Sequence, residues 1–440
     1  MAKPNRLKRS LTASFWDGVF ASCMAGLTND YITPYALALK ATTSQIGLLS
    51  ALPNFVSSLI QLKTADLTEK LKSRKTIINI FAFLHAFAGI PIILLPYIFK
   101  WHRPALLIIF VTLFVSLGAF LAPAWSSLMS DHIPYKSRGR YFGWRNWILG
   151  IVTVICALIA GFVLHMFKNN ILRGFLLIFT AAVICRFISW YFLTRMYEPK
   201  FKAHDDAYFS LFDFIQRARE SSFVKFVIFT ASLIFCVNIA SPFFSVFMLR
   251  DLKFNYLTYT ALTVTVTITQ ICAFNRWGMH ADKVGNIKVI RLTSLFIAGL
   301  PVWWVINRHP VFLILAQIVS GFAWAGFNLC ATNFIYDAVT PQKRVRCIAF
   351  FNVFIGIATC GGALIGGYIS NLMPELFGYR LLSLFILSSC LRFFVLFLFS
   401  GKIREVRTAE KISSKDLFYS VTGIKPAFVF GASSQLKEEG

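Results

Sequence analysis

Asp131, Arg138, Arg140, Asn146, Gly150, Gly161 and Arg186 recur 206 positions later as Asp337, Arg344, Arg346, Asn352, Gly356, Gly367 and Arg392. The tripeptide Ala157-Leu158-Ile159 returns at the same offset as Ala363-Leu364-Ile365. Charged, amide and glycine positions held in one register across apolar helices and their loops restrict the chain to one multi-helix unit made twice. Duplicated bundles of membrane helices are a common transporter design.

The surrounding sequence is apolar enough for that design. Hydrophobic residues make up 57% and charged residues 14% of the 440, with a mean hydropathy of +0.65. Soluble domains carry about 25% charged residues, and an apolar run of about 20 residues crosses a bilayer. The expected fold is an all-α polytopic membrane protein with twelve transmembrane helices in two pseudo-symmetric six-helix bundles. The spans fall near 14–38, 44–63, 76–99, 104–130, 141–167, 171–194, 225–249, 256–276, 288–306, 309–336, 345–372 and 379–400. This divides the chain into an N-terminal segment 1–13, a first bundle 14–196, a linker 197–224, a second bundle 225–400 and a polar tail 401–440. Within the linker, Phe209–Phe223 is amphipathic and suits a helix lying on the membrane face. The run Thr263-Val264-Thr265-Val266-Thr267-Ile268-Thr269 alternates like a strand. A lone strand in lipid leaves its backbone unpaired, so a helix is expected there, with Thr260, Thr263, Thr267 and Gln270 on one face.

The net charge of +25 is topological. Its clusters, among them 3–9, 63–75, 136–140, 283–291, 343–346 and 402–411, mark alternate ends of the apolar runs, as the positive-inside rule requires. Both termini are therefore expected in the cytoplasm, in an integral protein of the cytoplasmic or plasma membrane, and nucleic acid is not an expected partner. The basic, then apolar N-terminus is interrupted by Asp17, Asn29 and Asp30 and reads as a retained first helix. The nine cysteines lie inside apolar runs without metal-site or paired secretory spacing and read as buried packing residues. No P-loop signature, metal constellation or nucleophile constellation stands out, so neither a cofactor nor a metal nor enzymatic chemistry is expected.

Between the eighth and ninth spans runs Gly278-Met279-His280-Ala281-Asp282-Lys283-Val284-Gly285-Asn286-Ile287-Lys288. A glycine, an aspartate four residues on, a basic residue, a second glycine and further basic residues resemble the cytoplasmic loop signature of the major facilitator superfamily. The resemblance covers about residues 12–400. It implies two six-helix halves rocking around a central site lined by the first, fourth, seventh and tenth spans. It also implies that the loop cluster closes the cytoplasmic side: Asp282, with Gly278, Lys283 and Gly285, would engage the start of the eleventh span near Arg344 and Arg346. The first half keeps Asp66, Glu69, Arg74 and Lys75 but lacks both glycines. There, Asp131, Arg138 and Arg140 form the corresponding charged cluster, and both clusters would stabilise the outward-open state. Gly356, Gly361, Gly362, Gly366 and Gly367 thin one side of the eleventh span. They are similar to the glycine-rich antiporter motif of the family, which belongs in the fifth span, so antiport is not implied.

Inside the spans, Arg186 and Arg392 lie about 12 Å from the nearer membrane face at 1.5 Å per residue. A charge at that depth must be paired or reach the headgroups. Their symmetry favours a structural role, each tying its helix to the loop-side aspartate of its own half, or snorkelling. Asp30, in Asn29-Asp30-Tyr31 with Pro34 after it, has no basic residue within a helical turn or two. It is placed to bind a proton or a cationic substrate group, or else faces an outer vestibule. Three polar stripes offer further cavity candidates: Asn29 in the first span, Asn238 and Ser241 in the seventh, and Gln317, Trp324 and Asn328 in the tenth, with Gln270 in the eighth. Such stripes either line water or bond another helix.

The expected function is secondary active or facilitative transport of a small molecule by alternating access. The working unit is a monomer in the bilayer, and proton coupling rests on Asp30 alone. Sparse intramembrane charge favours an uncharged or amphipathic substrate over a dianion. Two alternatives remain open: a sensor that keeps the fold and uses its tail as an output arm, and a lipid flippase.

Overall fold

A computed structural model describes residues 4–71, 73–133, 135–199, 222–339, 344–399, 401–403, 405 and 413–423. The first half contains α1 (Pro4–Thr28), α2 (Ile32–Ala38), α3 (Thr43–Leu71), α4 (Arg74–Ile98), α5 (Arg103–Ala119), α6 (Leu121–His132), α7 (Tyr135–Met166) and α8 (Ile171–Thr194). The second contains α9 (Ser222–Asn238), α10 (Phe243–Val246) leading into a π-helical turn at Phe247–Asp251, α11 (Tyr256–Val284), α12 (Asn286–Ile306), α13 (Pro310–Ala338), α14 (Arg344–Ile369) and α15 (Arg380–Phe399). A last helix, α16 (Ser414–Thr422), follows the bundle. Among the described residues ten segments are long and apolar enough to cross a membrane. The pair α1–α2 and α3, which carry more polar residues, pack beside them as the first two members of the first half.

Three expected spans are interrupted. The first breaks at Asn29–Tyr31, the fourth is interrupted at Phe120 alone and the seventh breaks between Asn238 and Phe243, where Pro242 has no N–H to give. The threonine-rich stretch is helical within α11, and Thr263, Thr265 and Thr269 return their hydroxyls to main-chain carbonyls three or four residues back. That satisfies polar groups that lipid cannot. The amphipathic linker segment lies outside the described residues except for its last two, Ser222 and Phe223, which already belong to α9.

The two halves repeat one packing plan. In the first, α1 packs on α7 and α8, and α4 on α5 and α8; in the second, α9 packs on α14 and α15, and α12 on α13 and α15. They meet along two related seams, α3 against α14 and α7 against α11. Small residues permit the approach: a Cβ on Gly47 would lie 2.6 Å from the Ala363 carbonyl, and Gly367 lies against Gly47 and Ser44. Gly362 and Gly366 press on the main chain of α9 and its exit, so the glycines of α14 serve two neighbours.

The proximal face of the bundle carries the start of α1 and the α3–α4, α6–α7 and α11–α12 connections; the distal face is opposite. One apolar core at the distal end joins both halves, with Leu27, Tyr35, Ile46 and Phe179 in the same cluster as Phe243, Phe247, Tyr259 and Trp304. At the proximal end the cores of the described residues are separate. The first half has Ala13, Ile77, Leu128 and Leu193, and the second has Phe226, Trp277, Ile287 and Phe334. Cys236, Cys330 and Cys347 are buried as expected, whereas Cys272 and Cys390 are exposed on the outside of the bundle, because an apolar run in a membrane need not face protein.

Candidate functional site

Two carboxylates organise the proximal face. Glu198, just after α8, accepts the Arg74 N–H at 2.6 Å, the Lys75 N–H at 3.3 Å and the Ser73 hydroxyl at 2.6 Å. It thereby neutralises the positive end of α4. Arg74 also pairs with Asp131 at 2.7 Å and donates to the Ser127 carbonyl. In the second half, Glu405, after α15, accepts the Ile287 N–H at 2.7 Å, and Asn286 donates to Asp337 at 2.8 Å. The repeated aspartates Asp131 and Asp337 thus both hold the start of the third span of their own half. Gly285 has φ +86°, and a Cβ there would lie 2.5 Å from Glu405. The second glycine of the loop is therefore required by both backbone and neighbour. Gly278 is different: it sits within α11 with ordinary space around it.

Asp282 is exposed at the end of α11 and Lys283 is half-buried beside it. The side chains of Arg138, Arg140, Arg344 and Arg346, together with those of Asp66 and Glu69, lie outside the described residues. Asn352, one of the repeated amides, donates to Gln61 across the α3–α14 seam at 3.0 Å.

The intramembrane arginines find partners other than the loop aspartates. Arg186 donates to the Ser189 hydroxyl at 2.8 Å, and Ser189 donates to Asp17 on α1 at 2.7 Å. Arg145, from α7, reaches the Ser14 carbonyl at 3.1 Å and stacks over Trp125 at 4.6 Å. Asp17, Arg145 and Arg186 are all buried. The expected tie of Arg186 to Asp131 is thus replaced by Asp17, a nearer carboxylate on a helix that packs directly against α8. Arg392 is 3% exposed. It donates to Ser388 at 3.1 Å, to the Ile297 carbonyl at 2.8 Å and to the Val237 carbonyl at 3.3 Å. Val237 lies at the end of α9, where its carbonyl also accepts the Ala240 and Ser241 N–H groups and the negative end of the helix dipole favours a cation, while Pro301 leaves the Ile297 carbonyl without its helical N–H partner. The tie of Arg392 to Asp337 gives way to carbonyls at its own depth, and snorkelling is not needed.

Asp30 lies in the break of the first span, half-buried, and its main-chain carbonyl accepts the Tyr259 hydroxyl at 2.6 Å. Among the described residues no hydrogen bond or ion pair reaches its carboxylate. Asn29 is exposed beside it, and Ser241 is exposed in the matching break of the seventh span. Asn238 turns back to the Ile234 carbonyl at 2.8 Å. Along α13, Gln317 and Trp324 are half-buried and Asn328 is exposed, but Gly321 between them presses on the Val266 carbonyl of α11. That stripe therefore leans partly on its neighbour. Gln270 is half-buried on α11. Sequence reasoning chose Asn29, Asp30 and Ser241 as cavity candidates, and the structure places them at the two breaks. It put Thr260 on a polar face but missed Tyr31 and Tyr259, which with Thr260 join those breaks, and Asp17, which it treated as an interruption. Tyr31 adjoins Asp30, and that adjacency was the available signal.

A small cavity of about 20 Å³ lies within the first half, lined by Met24, Thr28, Ile92, Phe114, Phe179 and Arg186 among others. It has room for one water molecule and none for an organic substrate.

The family described as "Major Facilitator Superfamily" matches residues 18–305 and 226–434. The multi-drug resistance efflux pump PmrA of Streptococcus pneumoniae is 29% identical over 172 residues, covering 37% of this chain and 40% of the pump. The chain thus matches well under half the length of that relative. Among solved structures, the nucleoside transporter NupG superposes with a TM-score of 0.63 at 15% identity, covering 90% of this chain and 98% of the other. A D-xylose-proton symporter does so with 0.68 at 12%, covering 92% and 99%. At such identities the likeness is one of fold.

Proposed function

Starting from the premise that the chain belongs to the major facilitator superfamily of membrane transporters, we propose that it moves a small organic molecule by alternating access, in the state closed on the distal side. The carrying observation is the arrangement of the cores. One cluster fuses the halves at the distal end, and two separate clusters occupy the proximal end. Rocking two rigid halves about the α3–α14 and α7–α11 seams would exchange that pattern for its opposite. By the placement of its basic clusters, the proximal face is cytoplasmic.

The substrate is uncharged or amphipathic. Arg145, Arg186 and Arg392 are committed to internal partners, and withdrawing any of them to bind an anion would leave buried groups unpaired. Asp30 is the group available for a proton or a cationic centre. The pump and sugar- and nucleoside-transporter relatives differ too much in cargo to name one here.

The test is a thermal-shift screen of purified protein against sugars, nucleosides, amino acids, organic acids, amphipathic drugs and lipids, followed by uptake into proteoliposomes. A ligand at one hundred times its dissociation constant raises apparent stability by about 2.7 kcal/mol. Saturable uptake of a neutral or amphipathic compound is the expected result. Selective stabilisation by a dianion would overturn the substrate class. Stabilisation by lipids alone, without uptake, would favour a lipid flippase.

A further inference from the structure

The breaks in the first and seventh spans leave main-chain carbonyls without helical N–H partners, and within a membrane these must be met by the protein itself or by cavity water. Asp30 shows how one of these is met. Its carbonyl accepts the hydroxyl of Tyr259, which belongs to the other half, at 2.6 Å. A reciprocal contact runs the opposite way. Tyr31 donates to the Ala157 carbonyl of its own half at 2.5 Å, and its oxygen lies 2.8 Å from the hydroxyl of Thr260, which must then be the donor between them. Ser245, just after the break of the seventh span, lies 3.2 Å from the Tyr259 hydroxyl and donates to it in the same way. Tyr31 and Thr260 are 0% exposed and Tyr259 1%. The two tyrosine rings meet edge to face at 6.4 Å. A Cβ on Gly161 would run into the Thr260 side chain, so α7 and α11 are in contact at this level.

Resting on the transporter reading, we propose that Tyr31, Tyr259 and Thr260 form a buried latch that holds the distal side shut. The bonds from Tyr259 to Asp30 and from Thr260 to Tyr31 pass between the halves. They exist only while the halves touch distally, so they favour that state over its opposite. A difference of this kind is what shifts a two-state equilibrium. Three other cross-links lie nearer the distal surface: Arg250 to Thr43 at 2.9 Å, Ser44 to the Gly367 carbonyl at 3.1 Å, and Asn371 to Ser44 at 3.4 Å. Arg250 and Ser44 are exposed, and water can replace their partners when the halves part. The tyrosine pair is dry, and opening strands the Asp30 carbonyl unless water enters.

Hydrogen–deuterium exchange of the full chain in lipid nanodiscs tests this with Tyr259→Phe and Thr260→Val, singly and combined. Each lost bond should lower the closed-to-open ratio about two- to tenfold. Exchange should therefore rise in the distal segments 29–35 and 239–260 and fall in the proximal segments 73–80 and 284–290, with Tyr259→Phe the stronger variant. Unchanged exchange in both regions would overturn the latch. So would a distal rise without proximal protection, which marks local loosening. If the double variant loses its cooperative thermal transition, the near-isosteric Thr260→Val alone decides by the same criteria. The transporter reading fails separately: wild-type exchange on neither face would respond to any compound of the screen, while the variants still shifted.

Discussion

The Glu405 carboxylate accepts the backbone N–H of Ile287 at 2.7 Å, as Glu198 accepts that of Arg74 at 2.6 Å. Each half thus ends on an acid folded back onto the start of its own third span. In the second half the return continues beyond the acid. Ile403, two residues before the acid, is buried and its carbonyl accepts from Arg291, and after the acid α16 lies along α11 and α12. Leu417 and Val421 are buried there, Phe418 faces Phe296 at 5.3 Å, and Ser420 lies 2.9 Å from His280. Ser413 and Gly423 cap the helix at its two ends.

Gly285→Ala should destabilise by about 1–3 kcal/mol from the backbone alone, since φ +86° with ψ 158° is a region almost restricted to glycine. The added Cβ would also collide with Glu405. Thermal unfolding of wild type, Gly285→Ala, Glu405→Ala and the double variant separates the two effects. The glycine substitution should cost less once Glu405 is gone. Equal costs in both backgrounds would show that the carboxylate does not crowd the loop.

Arg186→Leu removes one of the two buried cations that face Asp17, the other being Arg145. Breaking one side of a buried charged pair costs about 3–5 kcal/mol, and the remaining Arg145 holds the loss to the low end of that range or below. Asp17→Asn keeps an acceptor for Ser189 and should cost less than Arg186→Leu. Removing both charges together should cost less than the sum of the single losses. Denaturation midpoints that simply add would mean that Arg186 and Asp17 act independently.

Arg392→Leu removes three donors from Ser388, Ile297 and Val237; Val237 keeps two backbone N–H partners, but the Ile297 carbonyl is stranded, at a cost of about 1–3 kcal/mol. Arg392→Gln can keep one of these bonds and should fall between the two. The yield of monodisperse protein and its melting temperature report the order. A leucine variant as stable as wild type would remove Arg392 from the structural framework.

Asp30→Asn should leave distal closure intact, because Tyr259 binds the main-chain carbonyl and not the carboxylate. The substitution should instead abolish the pH dependence of substrate-induced stabilisation, if Asp30 carries the proton. Thermal shifts at several pH values measure this directly. A pH profile unchanged by the substitution would assign coupling elsewhere or nowhere.

The offset of 206 exposed the duplication because it runs through residues that each half needs at the same place, such as Asp131 and Asp337 at the start of the third spans. It did not reveal Glu198 and Glu405, because one inserted residue between Arg392 and Glu405 moves that pair out of register. The depth of Arg186 and Arg392 was readable from their distance to the span ends. Their partners were not, since a serine relay to Asp17 and the carbonyls of Ile297 and Val237 depend on helix neighbours far apart in sequence. The helix breaks were only hinted at, by Asn29-Asp30 before Pro34 and by Ser241-Pro242. Tyr31 and Tyr259 look like ordinary aromatic residues of a chain rich in them, and only the meeting of the first-span break with the α7–α11 seam brings them together.

Because each half carries its own closing carboxylate, Glu198 before the linker and Glu405 before α16, neither borrows the other's acid to finish its proximal end. The bundle is in this respect two complete parts that share a seam. A chain severed between them, and supplied as two polypeptides, retains in each piece what that piece needs to close on itself, and has only to find its counterpart in the plane of the bilayer.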